Sequence, residues 1–129
     1  MVQILNYVYF VDTRAFQNIS SFDTSMVEQV TETAKKTLDK YIDYAKEHGV
    51  ENASYSIEYG APKTIIARDM PKEMGADLIM IGATGLNAVE RILIGSVTEF
   101  VTRTAICDVL VVRTDLDNKP IENPKKRRF

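Results

Sequence analysis

The sequence predicts an α/β domain built on a parallel, doubly wound sheet, and three observations carry that expectation. Strand-length apolar runs alternate with stretches of helical periodicity in the order β-α-β-α-β-α-β, which calls for right-handed crossovers. The runs Val2 to Val11 and Asp77 to Ile81 lack regular polar alternation, as strands covered on both faces do. Glycines stand where a run gives way to a helix, at Gly60 and Gly82. A chain of 129 residues can bury one core but not two of ordinary size, so a single domain is expected over 1–113, with a tail over 114–129.

Val2 to Val11, rich in Val, Ile, Leu, Tyr and Phe, is the first strand, and Asp12 and Thr13 end it. Thr13 to Phe22 is polar and turn-like, a loop whose rings Phe16 and Phe22 are placed to cover the sheet edge. Ser25 with Glu28 forms a capping-box pattern that opens a helix. Met26, Val27, Val30, Ala34, Leu38, Tyr41, Ile42 and Ala45 recur at helical spacing, and Gly49 supplies a left-handed stop. Ala53, Tyr55, Ile57 and Tyr59 alternate with polar residues, as in a strand with one drier face at a sheet edge. Pro62 suits a first helical turn, and the helix runs on through Thr64 to Met74, with Pro71 expected to kink or end it near Met70. Asp77 to Ile81 is a buried strand running into Gly82. A helical stretch over Ala88 to Thr104 breaks or bends at Gly95, and Val109 to Val112 closes the sheet. Two prolines and the run Lys125, Lys126, Arg127, Arg128 mark 114–129 as a solvated, disordered basic tail.

Composition narrows the function classes. Hydrophobic residues at 45% and charged residues at 26% describe a soluble globular chain, and a net charge of -2 gives no electrostatic reason to expect a nucleic acid partner. Residues 1–12 are apolar but lack a positive n-region and a cleavage site, and no stretch approaches the roughly 20 apolar residues that span a bilayer. A cytoplasmic protein with no membrane association is expected. Cys107, alone, allows neither an intramolecular disulfide nor a CxxC site and reads as a small core residue. His48 lies near a helix end, where an imidazole suits the dipole, and has no companions for a metal.

The chemistry is concentrated in Gly82-Ala83-Thr84-Gly85, followed after nine residues by Gly95-Ser96-Val97-Thr98. Gly82 leaves a buried strand at the carboxyl edge of the sheet, where such folds bind ligands. Gly95 and Ser96 open a helical segment whose free amides and dipole favour a phosphate, and the Ser96 hydroxyl adds a donor. Two glycine sites placed this way can wrap a polyphosphate, although the same spacing also occurs in ordinary packing.

Gly82-x2-Gly85-x9-Gly95-Ser96, preceded by Ala76-Asp77-Leu78-Ile79-Met80-Ile81 and followed by Cys107-Asp108-Val109-Leu110-Val111-Val112-Arg113, resembles the C-terminal half of the universal stress protein family. Its spacer and final Gly-Ser are similar to those of the ATP-binding subgroup. Gly60-Ala61-Pro62 with Ile65 and Ile66 resembles the family's third-strand exit and helix, and Tyr9-Phe10-Val11-Asp12 its second-strand end, so the likeness spans residues 3 to 113. The resemblance implies a Rossmann-like, adenine nucleotide alpha hydrolase-like sheet with four of the usual five strands. It implies a site in which Gly82, Gly85, Gly95, Ser96, Val97 and Thr98 surround ribose and phosphates, with Ile81 beside the nucleoside and Phe10 offering its backbone to adenine. The implied ligand is ATP, with magnesium. The implied function is a stress-response or signalling domain acting through nucleotide-dependent partner interactions. It is not an enzyme: no residue looks like a dedicated general base or nucleophile, although slow ATP hydrolysis is a family theme. The family also commonly dimerises through its last strand, which implies a homodimer through Val109 and Val111.

The sequence departs from the family at its start. The family begins with a strand ending in an acidic residue that contacts the nucleoside, then a helix, and that strand lies mid-sheet in the order 3-2-1-4-5. Its absence leaves two inner edges unpaired. Either Met1 is an internal methionine of a longer protein, which is the expectation preferred here, or the short chain closes its sheet differently, by pairing Val2–Val11 with Asp77–Ile81 or by borrowing a second chain. A dimeric interaction module that binds no nucleotide therefore stands as the alternative function. An ATP-pyrophosphatase-type enzyme would need a Ser-Gly-Gly-x-Asp-Ser-like loop near the amino terminus, and the sequence has none.

Overall fold

The computed structural model describes residues 4–11, 24–83, 94–114, 117 and 119. It divides into two compact units, Met1–Pro62 and Lys63–Phe129. The four strands run parallel in two ladders, β1–β2 in the first unit and β3–β4 in the second. The α/β class with parallel strands stands. The loop expected at 13–22 lies outside the described residues, as does the tail apart from Thr114, Asp117 and Lys119.

In the first unit, β1 (Ile4–Val11) and β2 (Asn52–Tyr59) pair from Ile4 opposite Asn52 to Val11 opposite Tyr59. Between them runs α1 (Thr24–Glu47), which starts one residue before Ser25, so Ser25 sits inside the first turn rather than ahead of it. Ala34, Leu38 and Ala45 form its buried stripe, with Leu38 only 2% exposed. Removing a side chain of that size from water contributes about 1.5–3 kcal/mol. The Tyr41 ring on the same stripe lies 5.5 Å from that of Tyr7, which identifies the sheet face that α1 covers. The helix ends at Gly49, whose φ of 88° lies in the left-handed region, and the Val50 N–H returns to the Ala45 carbonyl at 2.9 Å. His48, exposed, contacts the Tyr44 carbonyl through Nδ1 at 2.8 Å and stacks near the Tyr44 ring, an end-of-helix role and not a metal one.

The opposite face of this ladder is polar. Asn6 breaks the apolar run of β1: its Nδ2 donates to Ser56 Oγ at 3.2 Å, and Ser54 Oγ donates to its Oδ1 at 3.0 Å. The expectation that β1 is buried on both faces is therefore corrected. Its characterised side chains are half-buried or, at Val8, exposed, because the strand has one ladder neighbour and a hydrogen-bonded polar face.

In the second unit, α2 (Pro62–Thr64) passes into a π-helical turn (Ile65–Asp69) and then α3 (Met70–Met74). The kink or stop expected at Met70 is replaced by this π turn, and Pro71 explains it. An α-helical residue 71 would donate to the carbonyl of Ala67, but proline has no N–H and its ring crowds that carbonyl. The helix widens instead, with the Met70 N–H reaching Ile65 and Pro71 falling in the first turn of α3, where no donor is required. The Ala67 carbonyl accepts the Ile106 N–H at 3.2 Å. Gly75, with φ 63°, ends α3 and leads into β3.

β3 (Leu78–Gly82) and β4 (Asp108–Val112) pair from Leu78 opposite Asp108 to Gly82 opposite Val112, with α4 (Ser96–Thr104) between them in sequence. Ile79, Ile81, Val109 and Val111 are half-buried, whereas Leu78, Met80, Leu110 and Val112 are exposed. The apolar runs of β3 and β4 thus mark one covered face and one open face, not burial on both. An unbroken run of aliphatic residues cannot distinguish the two cases. Val101 and Ala67, each 0% exposed, anchor the core of this unit, and Lys63 Nζ lies 5.8 Å from the centre of the Phe100 ring. Cys107 lies in the bend before β4 and is half-buried rather than a core residue.

Candidate functional site

The exit of β3 and the start of α4 are tied together through the backbone. The ladder continues one step past the strand, with the Ala83 N–H donating to Val112 at 2.9 Å. The Ala83 carbonyl accepts the Gly95 N–H at 2.8 Å. The hydroxyl of Thr98, on the second residue after Ser96, donates to the Gly82 carbonyl at 2.6 Å. Ala83 and Thr98 are buried, which limits the access of water to these bonds. Gly82, Ala83, Gly95, Thr98 and Val112 form one hydrogen-bonded cluster.

The geometry leaves specific donors over. The first intrahelical bond of α4 runs from the Glu99 N–H to the Gly95 carbonyl at 2.9 Å, and no side chain caps the helix. The amides of Ser96, Val97 and Thr98 therefore have no helical acceptor, as the first turn of any helix dictates, and they carry the positive end of its dipole. Gly95 itself is committed to Ala83. Its φ of -59° and ψ of 152° are open to any residue, and positive φ among the described glycines occurs at Gly49, Gly60 and Gly75, not at Gly82 or Gly95. What glycine supplies at 82 and 95 is the absence of a side chain, which keeps the approach to the backbone clear.

The expected site residues are distributed as follows. Ile81, Gly82, Gly95, Ser96, Val97 and Thr98 all belong to the second unit, and the strand exit and helix start meet through the bonds above. Gly82 and Ser96 are exposed, Ile81, Gly95 and Val97 half-buried. The hydroxyl of Thr98 is committed to Gly82, so what Thr98 can donate to a ligand is its backbone N–H. Phe10, half-buried on β1, belongs to the first unit, and Gly85 lies outside the described residues. Ala83 and the Val112 carbonyl were not among the expected residues. Both act through the backbone, and only the Gly-x-x-Gly frame around Ala83 hints at it.

A phosphate fits these donors: three converging amides at a helix start, next to a strand exit without a side chain, are suited to an anion. Among the described residues no group of three His, Cys, Asp or Glu side chains could hold a metal ion. Among the described residues, a perturbed titration lies at Cys107, whose thiol is pushed above its ordinary value of 9.0 by desolvation first, then by the carboxylates of Asp108 and Asp77. It is a protonated thiol at neutral pH and not a nucleophile. No helix among the described residues is long and apolar enough to cross a membrane.

Comparison with known proteins places this geometry in a wider set. The model of the universal stress protein family matches residues 4–113. A curated protein of Staphylococcus epidermidis, named as a universal stress protein, is 41% identical over 111 residues, a match spanning 86% of this chain and 67% of the relative. Among solved structures, the universal stress protein UspA from Lactobacillus plantarum superposes with a TM-score of 0.71 at 29% identity, over 84% of this chain and 77% of that one. A universal stress protein in complex with cAMP superposes with a TM-score of 0.56 at 26% identity, over 87% and 77% of the two chains.

Proposed function

Because the chain belongs to the universal stress protein family, we propose that it binds ATP and acts as a cytoplasmic stress-response or signalling domain whose partner interactions follow its nucleotide state. The observation that carries this reading is the set of amides at Ser96, Val97 and Thr98, which have no acceptor within α4, beside the exposed exit glycine, Gly82. The cAMP complex of a relative supports it, since cAMP presents adenine, ribose and phosphate together. Gly82, Gly85, Gly95 and the first turn of α4 take the phosphates and ribose, and Ile81 flanks the nucleoside. Magnesium, when bound, neutralises charge on the phosphates. The protein binds and signals rather than catalyses: the donors at α4 polarise phosphate, but among the described residues no side chain beside them is set up to activate water.

Calorimetry with ATP and magnesium tests this. The wild type gives saturable heat, and Gly95→Val abolishes it, because valine accepts the backbone angles of Gly95 yet fills the approach to the amides. A flat wild-type trace at millimolar ATP overturns the reading.

The alternative, a dimeric interaction module without nucleotide, is favoured by one observation. Beyond its pairing with β3, β4 has no ladder partner among the described residues, and Leu110 and Val112 project from it exposed. A homodimer formed by backbone pairing along Val109 and Val111 is compatible with either reading. It requires a dimeric mass in light scattering at tens of micromolar, and a monomeric mass removes it.

A further inference from the structure

The Thr98 side chain links the two backbone segments of the phosphate site, the β3 exit and the first turn of α4. Its hydroxyl is buried and its proton is spent on Gly82, so it adds no side-chain donor to a ligand. From this geometry we propose that Thr98 is a positioning residue: it sets phosphate affinity without a side-chain contact, by fixing the Gly82 carbonyl against α4 so that the amides of Ser96, Val97 and Thr98 stay at one distance from the strand exit. The inference rests on the nucleotide reading above.

Three features support it. The bond is short, 2.6 Å, and its Thr98 end is buried, a setting that strengthens a hydroxyl-to-carbonyl bond. It runs parallel to the bond from the Gly95 N–H to the Ala83 carbonyl, so consecutive strand-exit carbonyls are held by consecutive parts of the helix start. The helix side of the link is itself braced, because Thr102 Oγ1 donates to the Thr98 carbonyl at 2.7 Å. Without the Thr98 hydroxyl, the Gly82 carbonyl loses this donor, and the peptide turns toward water. The two halves of the site then no longer arrive pre-set, and an anion must pay for their alignment when it binds.

The test is an ATP–magnesium titration of the full chain with matched variants. Thr98→Val, nearly isosteric and lacking the donor, weakens ATP by about tenfold, the order expected for one lost buried hydrogen bond. Thr98→Ser restores the hydroxyl and binds within about twofold of wild type, on the same reasoning. Thr104→Val removes a hydroxyl that bonds only within α4, and it leaves affinity unchanged. Should the valine variant lose its fold, Thr98→Ala replaces it and is compared with Thr98→Ser in the same way. Wild-type binding matched by Thr98→Val, or a serine variant as weak as the valine one, overturns this inference alone. A flat wild-type trace overturns the nucleotide reading and this inference together.

Discussion

The two units of the chain each join parallel strands through a helix, and they do it by different means. In the first, α1 has 24 residues and spans about 36 Å, longer than the roughly 26 Å of an eight-residue strand, so it lays a continuous stripe from Ala34 to Ala45 against the ladder. In the second, α4 has nine residues, about 14 Å, close to the length of its five-residue strands. A helix that short contributes little buried stripe, and Thr98 and Val101 are its buried residues. Its position is set by hydrogen bonds to Gly82 and Ala83 instead. The difference separates two purposes. Apolar burial supplies stability without fixing any one backbone atom, whereas short, directional bonds fix the atoms that a ligand would meet.

Substitutions can break or sharpen that contrast, and the largest effect is expected in the first unit. Leu38→Ala should cost about 2–5 kcal/mol in denaturant unfolding, and Val101→Ala about 1.5–3 kcal/mol. If Val101 proves the costlier, the second unit depends on burial as much as the first and the contrast fails. Pro71→Ala comes next. The new N–H competes for the Ala67 carbonyl, the gain in helix propensity is offset by a less restricted unfolded chain, and stability should move by no more than about 1 kcal/mol. The sharper readout is local: the Ile106 amide loses its acceptor, so its hydrogen exchange should accelerate about tenfold. Unchanged exchange would show that the bond to Ala67 is incidental.

The smallest effect is at Cys107. Desolvation and the carboxylates of Asp108 and Asp77 all raise its thiol, so Asp108→Asn should lower it toward the ordinary value and speed alkylation at pH 8. A rate that does not rise would leave desolvation and Asp77 as the causes. The sign also fixes the pH window. A raised folded value favours the folded state fully below the ordinary 9.0 and loses that contribution as pH climbs through the folded value, so this thiol destabilises only in alkali.

Much of the fold was legible because period and punctuation agree. The stripe through Ala34, Leu38, Tyr41 and Ala45 wrote α1, and Gly49 wrote its end. Gly82 and Gly95 marked a strand exit and a helix start that the structure joins. Three things were not legible. Pro71 announces a defect, but whether a helix stops, kinks or widens depends on who takes the Ala67 carbonyl, and that partner, Ile106, is distant in sequence. The open face of β3 and β4 was hidden because Leu78 and Met80 read the same whether covered or exposed. The role of Thr98 was hidden because a threonine beside a phosphate-binding turn suggests a ligand contact, and only the structure reveals that its hydroxyl faces back toward the strand.

Asn6 bears on how β1 finds its place at all. A strand written almost wholly in interchangeable aliphatic and aromatic residues is poorly defended against sliding along its neighbour, since a one-residue slip still presents apolar groups to the helix above. Here that slip would carry an amide into the face occupied by Tyr7 and Tyr41 and leave Ser54 and Ser56 without their shared partner. One polar residue thus acts as an alignment key. It leaves the other positions of the strand free to drift among Val, Ile, Leu, Tyr and Phe over generations, while the pairing they adopt stays the same.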